Sequence, residues 1–146
     1  MAITSAVCNS FKQEILEAEH NFTASTGNTF NLALYTSSAT LGASTTAYSS
    51  SNEITNTSGT SYSAKGKALT SVTPTLDSPT AVCDFSDVSW TSASFTANGC
   101  LIFNDSHSTD AAVCAIAFGG DKTVSSGTFT IQFPAAAAST AIIRIA

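Results

Sequence analysis

The chain has 146 residues, of which 43% are hydrophobic and only 10% charged, against the ~25% charged that is usual in soluble domains. That is enough material for one domain, residues 1–146, with a real core. A net charge of −5 and a pI near 4.6 exclude nucleic acid as a partner, since phosphate binding needs clustered Lys and Arg, and the five basic residues are scattered apart from Lys65 and Lys67.

Ser and Thr make up close to a third of the chain, so the expected surface is polar without being ionic. Burying hydroxyls costs less than burying ammonium or carboxylate groups, and low charge removes the repulsion that keeps copies apart. Such a surface suits a subunit that packs against neighbours. No stretch approaches membrane-spanning length, so no membrane partner is expected. The start, Met1-Ala2-Ile3-Thr4-Ser5, has neither a basic region nor a long apolar run, which points to synthesis in a cytosol. Cys8, Cys83, Cys100 and Cys114 form no CxxC pair and no zinc-ligand spacing. In a reducing compartment they read as free, buried thiols, and the sequons at Asn21, Asn56 and Asn104 lose their meaning.

Taken in order, the first element is a helix at about residues 5–22. Phe11, Ile15, Ala18 and Phe22 recur at helical spacing and form one apolar face, and Ser10 with Gln13 offers a capping box. Phe30 to Tyr35 is the cleanest strand, with Phe30, Leu32 and Leu34 on one face under that helix. From Thr36 to about Ser63 the chain is rich in Ser, Thr and Asn, with Tyr48, Ile54 and Tyr62 as its large apolar anchors. A loop of this length is usually functional or disordered; here it packs either on a partner or on itself.

Lys67 to Thr75 reads as a strand ending near Pro74, Leu76 to Pro79 as a turn, and Thr80 to Ser86 as the next strand. Val88 and Trp90 alternate, with Trp90 in the core. Ser94 to Asn104 ends in the solid apolar run Cys100-Leu101-Ile102-Phe103, expected to be buried on both sides. Asn104 to Asp110 is a turn, Ala111 to Phe118 the return strand, and Gly119-Gly120-Asp121-Lys122 a further turn. Thr128 to Phe133 and Thr140 to Ala146 are the last strands. The sum predicts a mainly β fold, an antiparallel β-sandwich or barrel of about seven or eight strands with one N-terminal helix.

Catalysis needs a convergent nucleophile, base and orienter, and none is expected. In Asp105-Ser106-His107 neighbouring residues of a turn do not face one another. His20 sits near the helix end, where a cation is mildly favoured. Asp84 and Asp87 give no cleft-spanning carboxylate pair, and the Gly119–Lys122 run lacks P-loop spacing. The chain is expected not to be an enzyme and to carry no cofactor or metal.

Phe11-Lys12-Gln13-Glu14-Ile15-Leu16 with His20 and Phe22, Phe30 through Tyr48, Asp87-Val88-Ser89-Trp90, Leu101 to Asp105, Phe118 to Lys122 and Phe129 to Pro134 together resemble a family of small virion proteins of tailed bacteriophages infecting aquatic bacteria such as cyanobacteria. The resemblance spans nearly the whole chain and implies a virion structural protein. Within it, a capsid decoration or cement protein is expected, made in the host cytoplasm and bound to the capsid exterior. Its partners would be the major capsid protein and copies of itself, as a homotrimer. A tail- or fibre-associated module, or a receptor-binding sandwich contacting host glycans, is the alternative. The expected assembly surface comprises Met1, Ala2, Ile3, Thr36, Ser37, Leu41, Tyr48, Ile54 and Tyr62.

Overall fold

The computed structural model describes residues 2–55 and 58–146. Its elements run β1 (Ala6–Val7), α1 (Asn9–Leu16), β2 (Phe30–Tyr35), β3 (Lys67–Ala68), β4 (Ser71–Asp77), β5 (Thr80–Phe85), β6 (Val88–Asn104), β7 (Ala111–Ile131) and β8 (Ile143–Ile145). The fold is mainly β, in two antiparallel sheets with strand orders β1-β7-β6-β2-β3 and β4-β5-β8. Neither sheet closes on itself, so the barrel is excluded. Its ends in the larger sheet, β1 and β3, are two residues each, too short to carry the ladder round.

The spine is the β6–β7 hairpin, paired from Asn104↔Ala111 to Val88↔Ile131 with register shifts at four places along it. Asn104 Oδ1 accepts the Ser106 N–H at 3.0 Å and Asp110 takes a positive φ of 52°, which makes the reversal where Asn, Asp and Ser predict it. The second expected turn, at Gly119–Lys122, is instead a bulge within one strand. Between Ala97↔Lys122 and Gly99↔Ala117, β6 advances two residues and β7 five. Gly119 and Gly120, at φ 74° and 140°, let the excess loop outward and return to the same partner.

β2 pairs with β6 over its whole length, Phe30↔Asn104 to Tyr35↔Gly99. All of it except Asn31 is buried, because neighbouring segments cover both of its faces. Gly99 is needed where the N-terminal segment crosses the sheet: a Cβ there would lie 2.6 Å from the Ile116 carbonyl oxygen and 2.8 Å from the Ile3 side chain.

The expected strand at Lys67–Thr75 divides. β3 ends on the larger sheet, and the chain changes sheet at Leu69 and Thr70, whose backbones bond Phe30 and Ser86. β4 then runs through Pro74 to Asp77, which is possible because β4 is an edge strand with a bulge between Val72 and Thr75. Phe85 of β5 joins the two sheets, its ring 6.0 Å from Phe30 and 6.2 Å from Phe22.

The helix is shorter than its periodicity predicts. It is eight residues long, its N-cap is Cys8 with no side-chain cap, and Ser10 Oγ is buried without a partner among the described residues. Ala18 turns left-handed at φ 61° and Glu19 N–H closes back on the Glu14 carbonyl, ending the helix with no glycine to announce it. Phe22 therefore reaches the core from an extended segment, stacking on Phe30 at 4.2 Å, a contact worth about 0.5–1.5 kcal/mol beyond its buried area. Eight residues are marginal as a helix alone; the burial of Phe11 is what holds this one to the sheet.

Candidate interaction surface

The long hydroxyl-rich segment is laid against the larger sheet by the isolated bridges Tyr35↔Glu53 and Ala47↔Ala111, and against the N-terminal stretch by Ile3↔Leu41. Its centre is Glu53. Oε2 accepts the Tyr48 hydroxyl at 2.5 Å, and Oε1 accepts the Tyr62 hydroxyl at 2.7 Å and the Lys65 N–H at 2.8 Å. Tyr62 in turn accepts the Leu34 N–H at 2.9 Å, and the Tyr35 hydroxyl donates to the Ser49 carbonyl at 2.7 Å. Burial, then the Glu53 carboxylate, pushes Tyr48 up to about 12. The same two causes, in that order, raise Tyr35 and Tyr62 further.

This geometry places the expected assembly residues. Leu41, Ile54 and Tyr62 are buried, Tyr48 is half-buried and stacks on Phe103 at 4.8 Å, and Ile3 packs on the core. These large side chains hold the segment to its own domain and offer little to a partner. Thr36 is half-buried, while Ala2 and Ser37 face solvent. Met1 and Asn56 lie outside the described residues.

Glu53 is the residue that sequence reading passed over. It is the only Asp, Glu, Lys or Arg between His20 and Lys65, and that isolation was the available signal. Lys65, read above as half of a close basic pair, holds Asp105 and Asp110 at 2.9 and 2.8 Å, so the hairpin turn is tied to the same segment. Lys67 lies 5.6 Å over the Trp90 ring.

The chemistry-bearing groups are each committed locally. His20 is buried well past the helix end, its Nε2 2.7 Å from Glu14 and its Nδ1 3.1 Å from Asn104 Nδ2. Because Asn104 Oδ1 is taken by Ser106, its amide donates, so Nδ1 accepts and Nε2 carries the proton toward Glu14. Ser106 Oγ accepts the Thr29 N–H, whereas His107 bonds Thr109 and approaches Glu19. Asp84 and Asp87 accept from the Phe85 and Phe133 backbones. Among the described residues no three His, Cys, Asp or Glu side chains are grouped as a metal site. All four cysteines are free and buried. Burial raises Cys8 to about 11 and both Cys83 and Cys114 to about 12, so thiolate is scarce at neutral pH.

One feature of the surface is concave and apolar. A groove of about 420 Å³ opens between α1 and the three-stranded sheet, lined by Phe11, Ile15 and Phe22 on one side and Cys83, Ile143 and Ile145 on the other. The paired row Leu76↔Ala81↔Ile145 crosses all three strands, so these side chains share a face, and Ala81 and Ile145 line the groove. No protein-family model matches the chain, and neither the curated proteins nor the solved structures contain a match. No helix among the described residues is long and apolar enough to cross a membrane.

Proposed function

We propose that this chain is a bacteriophage head component, a decoration or cement subunit that binds the outside of the capsid shell. In this reading the two sheets form a β-sandwich, a packing supported by the Phe30–Phe85 contact between them and by Phe22, which packs on both rings from the segment after the helix. The observation that carries the reading is the exposure of large apolar side chains at the groove and on the elements that form it. Leu16, Leu76 and Ile145 are 87%, 73% and 57% exposed. Ile145 lines the groove, Leu76 lies in the same strand row, and Leu16 follows Ile15 of the groove wall. Exposed apolar surface of this kind marks a contact with another protein. The family resemblance of the sequence supports the virion as the place of that contact.

The subunit works by burial, with no bond made or broken, and needs no cofactor. It binds the assembled shell better than free shell subunits, and so stabilises the shell by mass action. Its partners are the major capsid protein and further copies of itself, arranged as a homotrimer, with the solvent-facing hydroxyls of the 36–63 segment at the rim of the contact. The acidic balance suits the outer surface, because a face toward packaged DNA favours basic residues.

Cryo-electron microscopy of intact particles tests this. The expected result is copies on the order of hundreds following the icosahedral lattice. A few copies confined to the tail would overturn the shell reading in favour of a tail or receptor-binding module. Heads lacking the subunit should also rupture at lower temperature, and equal resistance would remove the cementing role.

A further inference from the structure

We propose that the outer edge of β8, with the groove beside it, captures an extended segment of another protein in which one acidic residue lies between two apolar ones. The proposal deepens the shell-binding reading, and it rests on that reading only for the identity of the protein that carries the segment.

β8 is the outer strand of its sheet, with no strand beyond it among the described residues. An uncovered edge is a template for strand addition. Native sheets usually blunt such edges, and the devices here are the shortness of β8, three residues, and a single charge, Arg144. A strand laid beside β8 turns alternate side chains to the two faces of the sheet. On the face of Ile143 and Ile145 they meet the groove walls formed by Phe11, Ile15 and Phe22, so the occupant's residues there are apolar. On the opposite face, by strand alternation, they meet the side chain of Arg144, a residue that also borders the groove at the strand edge; it is exposed, and its Nη1 donates to the Ala138 carbonyl at 2.9 Å. Arg144 makes no ion pair among the described residues, and an acidic residue on the incoming strand supplies the missing charge.

The same arginine counts against a second copy of the chain as the occupant. Two β8 strands paired antiparallel about their centres would set Arg144 against Arg144, and like charges directly opposite are destabilising. Specificity here comes from a repulsive element as well as an attractive one.

The test uses the full chain, isotope-labelled, titrated with the peptides acetyl-Thr-Val-Asp-Val-Thr-amide and acetyl-Thr-Val-Lys-Val-Thr-amide. The expected result is movement of the Ile143 to Ala146 and Ala81 amide signals, with the Asp peptide bound about fivefold more tightly. Arg144→Glu should reverse that preference and Arg144→Gln should abolish it, each with the rest of the spectrum unchanged. No movement up to the solubility limit, movement elsewhere, or equal affinity for the two peptides overturns the proposal. So does sedimentation showing a dimer that Ile145→Asp dissociates, which would give the edge to a second copy. Peptide capture by a protein found only at the tail would sink the shell reading and leave this one standing.

Discussion

The Tyr62 hydroxyl donates to Glu53 Oε1 at 2.7 Å while accepting the Leu34 N–H at 2.9 Å. A segment with almost no charge is thereby pinned to the central strand through one carboxylate. Tyr62→Phe leaves the buried Leu34 N–H unpaired and should cost about 1–3 kcal/mol. Glu53→Ala releases two hydroxyls and a backbone N–H together and should cost about 3–4 kcal/mol. Denaturant unfolding measures both, and a double-mutant cycle should return a coupling of about 1 kcal/mol or more. Strict additivity would show that the hydroxyl and the carboxylate act separately.

All three tyrosines of the chain have their phenols raised, Tyr48 to about 12 and the other two further. The unfolded chain loses these protons near pH ~10, so above that pH it binds fewer protons than the native state and stability falls as pH rises. The contribution is complete below pH ~10 and is lost as the pH climbs through 12 and beyond. Ultraviolet titration should therefore show no tyrosinate at pH ~10 in the native protein, and a steep rise coincident with unfolding at higher pH. A third of the signal titrating at pH ~10 with the fold intact would mean that one phenol is solvated.

Gly99→Ala tests the crossing of the N-terminal segment. The added carbon would meet the backbone oxygen of Ile116 at 2.6 Å and Ile3 at 2.8 Å, and a backbone atom cannot swing aside. The expected cost is about 2–3 kcal/mol, read as a fall of roughly 5–10 °C in Tm for a domain of this size. Ile3→Ala should relieve only part of it. An unchanged Tm would mean that the segment is held loosely.

The cysteines should be silent in the folded state. With every thiol buried and its ionisation suppressed, a disulfide reagent at pH ~8 should label all four in denaturant and none rapidly without it. Rapid native labelling of any one would place that thiol at the surface.

Lys65 bridges Asp105 and Asp110 from a side chain that is 42% exposed. Lys65→Gln should cost less than about 1 kcal/mol, and high salt should shrink the loss. A larger, salt-independent loss would mean that the hairpin turn depends on this cation.

Part of the fold is legible in local sequence because the signal and the structure share a period. Phe30, Leu32 and Leu34 lie in a buried strand, Cys100 to Phe103 are buried on both sides, and Asn104 to Asp110 reverse the chain. Helical spacing from Phe11 to Phe22 misled, since an aromatic carried by an extended return can fall at the same spacing as one carried by a helix. Tyr48, Ile54 and Tyr62 looked like either surface or core, and residue type alone does not separate the two.

By itself, then, the sequence determined the β class, the main hairpin, the low-charge hydroxyl surface and the buried state of the thiols, all of which follow from composition, alternation and turn chemistry. Only the tertiary structure decided that Gly119 and Gly120 bulge instead of turning, that Glu53 gathers two tyrosine hydroxyls, and that a groove lies open beside β8. The reason is that each of these depends on which distant strand supplies the partner. Ala97 must already lie opposite Lys122 before a glycine pair can be a bulge, and Leu34 must lie beside Tyr62 before the phenol has an N–H to accept.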